Sequence, residues 1–169
     1  MKVTSYGSLL KVCKDLLHEK IPIIDMLTII EAVADIAEFT KAPEILLEHV
    51  RAKLFRLITQ KFKDTDGILH IVTIKPELEQ QFIGKLQEHH GVSQLMISIA
   101  EINNLVTKTK KLLDDIEAKG FSKITMVVDP VLRKRISEIY EKFGLQVSVL
   151  SHAELDSKAN FAIEGTLEF

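Results

Sequence analysis

Apolar positions along the first 60 residues recur at intervals of three and four, the spacing that gathers them on one side of a helix. Leu9, Val12, Cys13, Leu16 and Leu17 make one such stripe, ending at Lys20 because the residue before Pro22 is turned away from helical geometry. Met26, Ile29, Ile30, Val33 and Ala37 make a second, with Asp25 placed as its N-cap and Ile24 and Ile29 spaced as a hydrophobic staple. Glu31, Asp35 and Glu38 fall on the opposite face of that helix. A third helix opens at Pro43, a natural first-turn residue, buries Leu47, Val50, Leu54, Leu57 and Ile58, and fades near Gln60.

Residues 61–67, KFKDTDG, are a polar break, and the pattern beyond them changes from helical to mixed. Ile68 to Ile74 is a nearly unbroken apolar run, as expected of a strand covered on both faces. Pro76 opens a helix with Leu78, Phe82 and Leu86 inward, predicted to end near His89, His90 and Gly91. Ser98 and Glu101 form a capping box, Ile97 and Ile102 a staple, and a stripe from Ile99 through Leu105, Leu112, Leu113 and Ile116 closes at Gly120. Ile124 to Val128 and Val147 to Leu150 are further buried strands, joined by a helix that Asp129 caps and Pro130 opens, carrying Leu132, Ile136, Ile139, Tyr140 and Phe143. Phe161, Ile163, Leu167 and Phe169 alternate with polar or small residues, predicting an antiparallel edge strand with one wet face. The expected fold is α/β, or α+β overall: a three-helix subdomain over 1–62, then a small mixed-sheet α/β sandwich over 67–169. Sixty residues bury little surface, so the helical part should lean on its neighbour or on another subunit.

Seven Gly and four Pro in 169 residues are few, which fits long helices and short connections. With 22 basic and 24 acidic residues the net charge is -2, so no global field draws the chain to nucleic acid or an anionic membrane. Cys13 alone excludes an internal disulfide, and its place on the first stripe makes it a core hydrophobe. No apolar run approaches the roughly 18 to 20 residues that cross a bilayer, and Met1 to Leu10 lacks the form of a signal peptide. The chain reads as soluble.

Candidate chemistry is thin. Six histidines lack ligand spacing, His89 and His90 pointing about 100 degrees apart on a helix, so no metal site is expected. Asp129, Ser151 and His152 lie after strands, where open α/β sheets bind ligands, but Asp129 is more simply an N-cap and no nucleophile elbow is present. No Gly-rich phosphate loop exists, so no cofactor is expected. Arg133, Lys134 and Arg135 form a basic cluster on one helix, giving a nucleic-acid module as the alternative function, against the plainer reading of a salt-bridged solvent face. By elimination a non-enzymatic binding or assembly module remains.

One stretch is more specific. Residues 20–58 carry Pro22, Ile23 and Asp25, then Thr28, Ile29, Glu31 and Ala32, then Asp35, Thr40, Lys41, Glu48, Val50 and Arg51. Later echoes are Pro76-Glu77-Leu78-Glu79, and Val149-Leu150-Ser151 followed by Ala153-Glu154. This pattern closely resembles the FlhA/SctV (FHIPEP) family, the export-gate proteins of flagellar and type III secretion systems, over nearly the whole chain, and the HAEL ending at 152–155 is closer to the flagellar branch. Where that family often has Asp before two helix-opening prolines this chain has Ala42 and Lys75, leaving Thr40 to stand in as the cap at the first.

The resemblance implies the helical third and α/β fourth subdomains of the family's cytoplasmic region, part of an inner-membrane protein. It implies a ring of neighbouring copies on the cytoplasmic side, receiving export substrates with their chaperones and components of the ATPase complex, without enzymatic activity. The family's main docking cleft is built largely by other subdomains. For the ring contact the candidates are Glu31, Asp35 and Glu38 on the second helix and Glu48, Arg51 and Arg56 on the third, unlike charges on separate faces expected to be exposed.

Overall fold

The computed structural model describes residues 6–169. The helical half contains α1 (Tyr6–His18), α2 (Met26–Ala37), α3 (Pro43–Lys53) and α4 (Phe55–Phe62). The second half runs β1 (Leu69–Ile74), α5 (Pro76–Ile83), β2 (Leu86–His89), β3 (Val92–Leu95), α6 (Ile99–Glu117), β4 (Ile124–Val128), α7 (Pro130–Lys142), β5 (Ser148–Ser151) and β6 (Phe161–Leu167). Four parallel strands in the order β5-β4-β1-β6 form one sheet, and β2 with β3 form a separate antiparallel hairpin.

Local signals explain most helix ends. Asp25 accepts the Thr28 amide at 3.1 Å, Asp129 accepts that of Val131 at 2.9 Å, and Ser98 and Glu101 close their reciprocal box. The Ile24 staple does not form, since Ile24 is 82% exposed. Ala42 and Lys75 provide no side-chain cap, and Thr40 accepts only from the Ala42 amide, one residue short of α3. Lys20 takes a left-handed φ of 62°, ending α1 and turning Ile21 into the core.

Three expectations are corrected. The single third helix is two, with a break at Leu54. The helix from Pro76 stops at Ile83, and the segment read as its tail is the β2–β3 hairpin, whose turn residues His90 and Gly91 both have positive φ, 54° and 77°, as a two-residue hairpin turn requires. Strand β6 is an edge strand but runs parallel to β1, not antiparallel. A parallel return needs a crossover. Here it is a helix-free link after β5: a single 3-10 turn (His152–Glu154) packed against α3 and α4, with Thr59 Oγ1 donating to the Glu154 carbonyl at 3.0 Å and accepting the Asp156 amide at 2.9 Å.

The sheet is covered on both faces. Leu69, Ile71, Val127 and Leu150 pack with Val12, Leu16, Ile29, Val33, Leu47, Val50 and Ile58 of the helical half. Val72, Ile74, Met126, Val128 and Val149 pack on the other face with Leu78, Phe82, Leu105, Leu113, Leu132, Ile136 and Tyr140. The helical half therefore rests directly on the sheet, as its small size demands.

Candidate partner interface

Charged residues of the two halves meet at one junction. Glu19, placed by the turn after α1, Glu48 and Arg51 of α3, Glu154 of the 3-10 turn, and Arg133 and Lys134 of α7 form a network of three carboxylates and three cations. Arg51 donates through Nη2 to Glu154 Oε2 at 3.0 Å and also through Nε to that carboxylate, and through Nη1 to Glu19. The Arg133 Nε lies 2.8 and 2.9 Å from the two Glu48 oxygens, and its Nη1 lies 3.2 Å from Glu19 Oε1. Lys134 Nζ donates to the same Glu19 oxygen at 3.1 Å. Glu154 also accepts the Ser151 amide at 3.0 Å, so the cluster sits at the C-terminal end of β5.

Burial and charge compete at each member. Burial opposes the Glu19 carboxylate, but Arg133, Arg51 and Lys134 outweigh it and hold its pKa below the usual range. At Glu48 burial wins over Arg133 and pushes the carboxyl up. Arg133, opposed by burial, is held more firmly cationic by Glu48 and Glu19. Such an arrangement fixes geometry; it offers no nucleophile, and its cations are already spent. A groove of about 550 Å³ runs beside it, lined by residues that include His18, Arg51, Arg133, Ser137 and Glu141, and His18 Nε2 reaches Glu141 Oε1 at 2.8 Å.

The predicted contact residues divide. Glu31 and Asp35 are exposed on α2 and Glu38 at its C-cap, and Arg56 is exposed on α4, its guanidinium 5.5 Å from the Phe55 ring centroid. Glu48 is half-buried and Arg51 only 1% exposed, so these two are not on a free face: the junction consumes them. Beside the acidic stripe α2 leaves Leu27 and Ile30 exposed, an apolar feature the charge reading did not include.

The basic cluster is corrected in the same way. Arg133 is 1% exposed and Lys134 pairs with Glu19, so these two are drawn into the junction, while Arg135 pairs with Glu44 and, along the helix, with Glu138, as a salt-bridged face would. A signal for burial was present. Leu47, Arg51, Leu54 and Ile58 step by four, three and four, as do Arg133, Ile136 and Tyr140 by three and four, so both arginines occupy apolar-stripe positions. Among the described residues no hydrogen bond joins Asp129, Ser151 and His152: Asp129 caps α7, Ser151 is buried and His152 is exposed. No cluster of three or more His, Cys, Asp or Glu side chains suited to a metal occurs among the described residues, and no described helix is long and apolar enough to cross a membrane.

Comparison with known proteins gives this architecture its relatives. The flagellar biosynthesis protein FlhA of Helicobacter pylori is 40% identical over 162 residues, covering 95% of this chain and 22% of its own length. The chain spans less than a quarter of the length of the curated relatives it matches. Among solved structures, the nonameric SctV-C of EPEC superposes with a TM-score of 0.85 at 20% identity, over 97% of this chain and 49% of that one. The Chlamydia pneumoniae CdsV protein, solved in complex with CdsO, gives 0.81 at 20% identity, over 96% of this chain and 47% of that one. With the FHIPEP family model matching residues 1–160, the chain belongs to the FHIPEP family, that of the FlhA and SctV proteins of flagellar and type III export.

Proposed function

We propose that this chain supplies a non-enzymatic part of a protein-export ring on the cytoplasmic side of the bacterial inner membrane. In this reading residues 1–62 carry the contact between neighbouring copies, and residues 67–169 form the companion α/β subdomain. Export chaperone-substrate complexes and ATPase-complex components are the partners of the whole assembly. The observation that carries the reading is the α2 surface: Glu31, Asp35 and Glu38 beside exposed Leu27 and Ile30, on a fold shared with a nonameric SctV-C.

A ring requires a heterologous contact, one patch of a subunit meeting a different patch of the next. The acidic stripe of α2 and the basic Arg56 and Lys53 on the α3–α4 segment are exposed and of opposite sign, so they pair head to tail. In the full-length protein, Glu31→Lys with Asp35→Lys should leave folding intact while abolishing ring assembly and export. Reversing Arg56 and Lys53 to Glu in that background should restore both. Unchanged assembly and export in the acidic double variant would remove the proposed contact.

A further inference from the structure

His70 on β1 is only 3% exposed, with its ring centroid 4.2 Å from that of Phe121. Its Nδ1 lies 2.7 Å from Glu164 Oε1 and its Nε2 lies 2.8 Å from Asp66 Oδ2. An ionised carboxylate only accepts, so both contacts are hydrogen bonds only when both ring nitrogens carry protons. A neutral imidazole has a single N–H and would turn a lone pair toward one carboxylate. The two carboxylates sit at opposite ring nitrogens, so one metal ion could not be shared between them through this ring.

Each partner belongs to an irregular segment. Asp66 lies in the turn that carries the chain from the helical half to β1, and its Oδ1 accepts the Ile68 amide at 2.9 Å. Glu164 is the extra residue where the register of β6 shifts, between the pairs Ile71↔Ile163 and Val72↔Gly165. Other charges nearby are engaged elsewhere: Asp64 accepts the Ser122 and Lys123 amides at 2.9 and 3.2 Å, and the Lys123 ammonium donates to the Lys61 and Lys63 carbonyls at 3.4 and 3.2 Å. Phe121 brings no charge.

We propose that His70 is a proton-operated clamp, whose imidazolium pins the Glu164 bulge of β6 to the Asp66 turn and whose deprotonation loosens both segments. Burial opposes the charge, yet hydrogen bonds to Glu164 and Asp66, with their charges, outweigh it and raise the pKa above the ordinary histidine value. A raised histidine pKa means that the clamp's contribution is complete below the unfolded value of about 6.5 and fades as pH rises through the folded value. The edge strand is thus tightest in mildly acidic conditions.

An NMR titration of the His70 ring in the full chain tests this, because it needs no variant to fold. The expected midpoint lies above about 6.5, and in Glu164→Gln it falls by about one unit as one carboxylate is lost. Amide exchange at residues 162–166 between pH 6 and pH 8.5 should rise about tenfold beyond its intrinsic pH dependence. In His70→Gln that excess should vanish. A wild-type midpoint at or below 6.5, or an excess that survives in His70→Gln, overturns the clamp.

Discussion

On α2, Glu31, Asp35 and Glu38 project into solvent, whereas on α3, one helix later, Glu48 and Arg51 are drawn into contact with Arg133, Glu19 and Glu154. Both sets look alike as charges at helical spacing. The difference lies in what each displaces. The α2 carboxylates lie opposite the buried face of Ile29, Ala32 and Val33, while Arg51 interrupts the apolar row itself. A charge on the outer face is solvated and worth about 0 to 1 kcal/mol, while a charge on the inner face must have partners or the fold loses several. Exposed charge is therefore free for assembly, and inward charge is committed to holding the molecule together.

Arg133→Ala tests the committed set most severely. It strands Glu48 and reduces the partners of Glu19, so a loss of about 3–5 kcal/mol in chemical denaturation is expected. Arg133→Leu with Glu48→Leu should lose clearly less than Arg133→Ala, since both members of that pair go together; a loss equal to or beyond the single variant would mean that packing, not charge pairing, sets the cost.

The acid limb of stability sharpens the comparison further. Because the Glu19 pKa is lowered on folding, its contribution is present above the unfolded value of about 4.5 and disappears as pH falls through the lower folded value. Glu48, raised by burial, works with the opposite sign, its protonation on acidification favouring the folded state. Glu19→Gln should therefore flatten the decline in melting temperature below pH 4.5, and Glu48→Gln should steepen it. The smallest effect belongs to α2: Glu31→Lys with Asp35→Lys should shift stability by no more than about 0.5 kcal/mol, as measured by thermal melting.

What was legible in the sequence was local. The Asp25 and Asp129 caps and the Ser98–Glu101 box act within three residues, and α1, α2, α6, α7 and strands β1, β4 and β5 follow from spacing that a short window contains. The hairpin escapes a helical reading of this segment because Gly91 fits a helix stop as well as a turn, Leu86–His89 shows no alternation, and only the short Val92–Leu95 strand alternates in burial. The direction of β6 depends on a link held by Thr59, almost a hundred residues away in sequence, and no local pattern encodes it. The buried arginines are a similar case: Arg51 finds Glu154 at a separation of 103 and Arg133 finds Glu19 at 114, so their positions in the apolar rows hinted at burial without naming partners. Spacing places Glu31, Asp35 and Glu38 on the outer face, where the structure exposes them, but it also places Ile30 on the core side, where the structure leaves it 46% exposed.

Because Leu69, Ile71, Val127 and Leu150 form the floor on which the helical half sits, detaching that half would wet four side chains, each worth roughly 1.5–3 kcal/mol on burial. It would also separate Arg51 from Glu154 and Glu48 from Arg133. Together these losses are comparable with the whole stability of an ordinary domain. The two halves should therefore unfold as one cooperative unit, giving a single thermal transition.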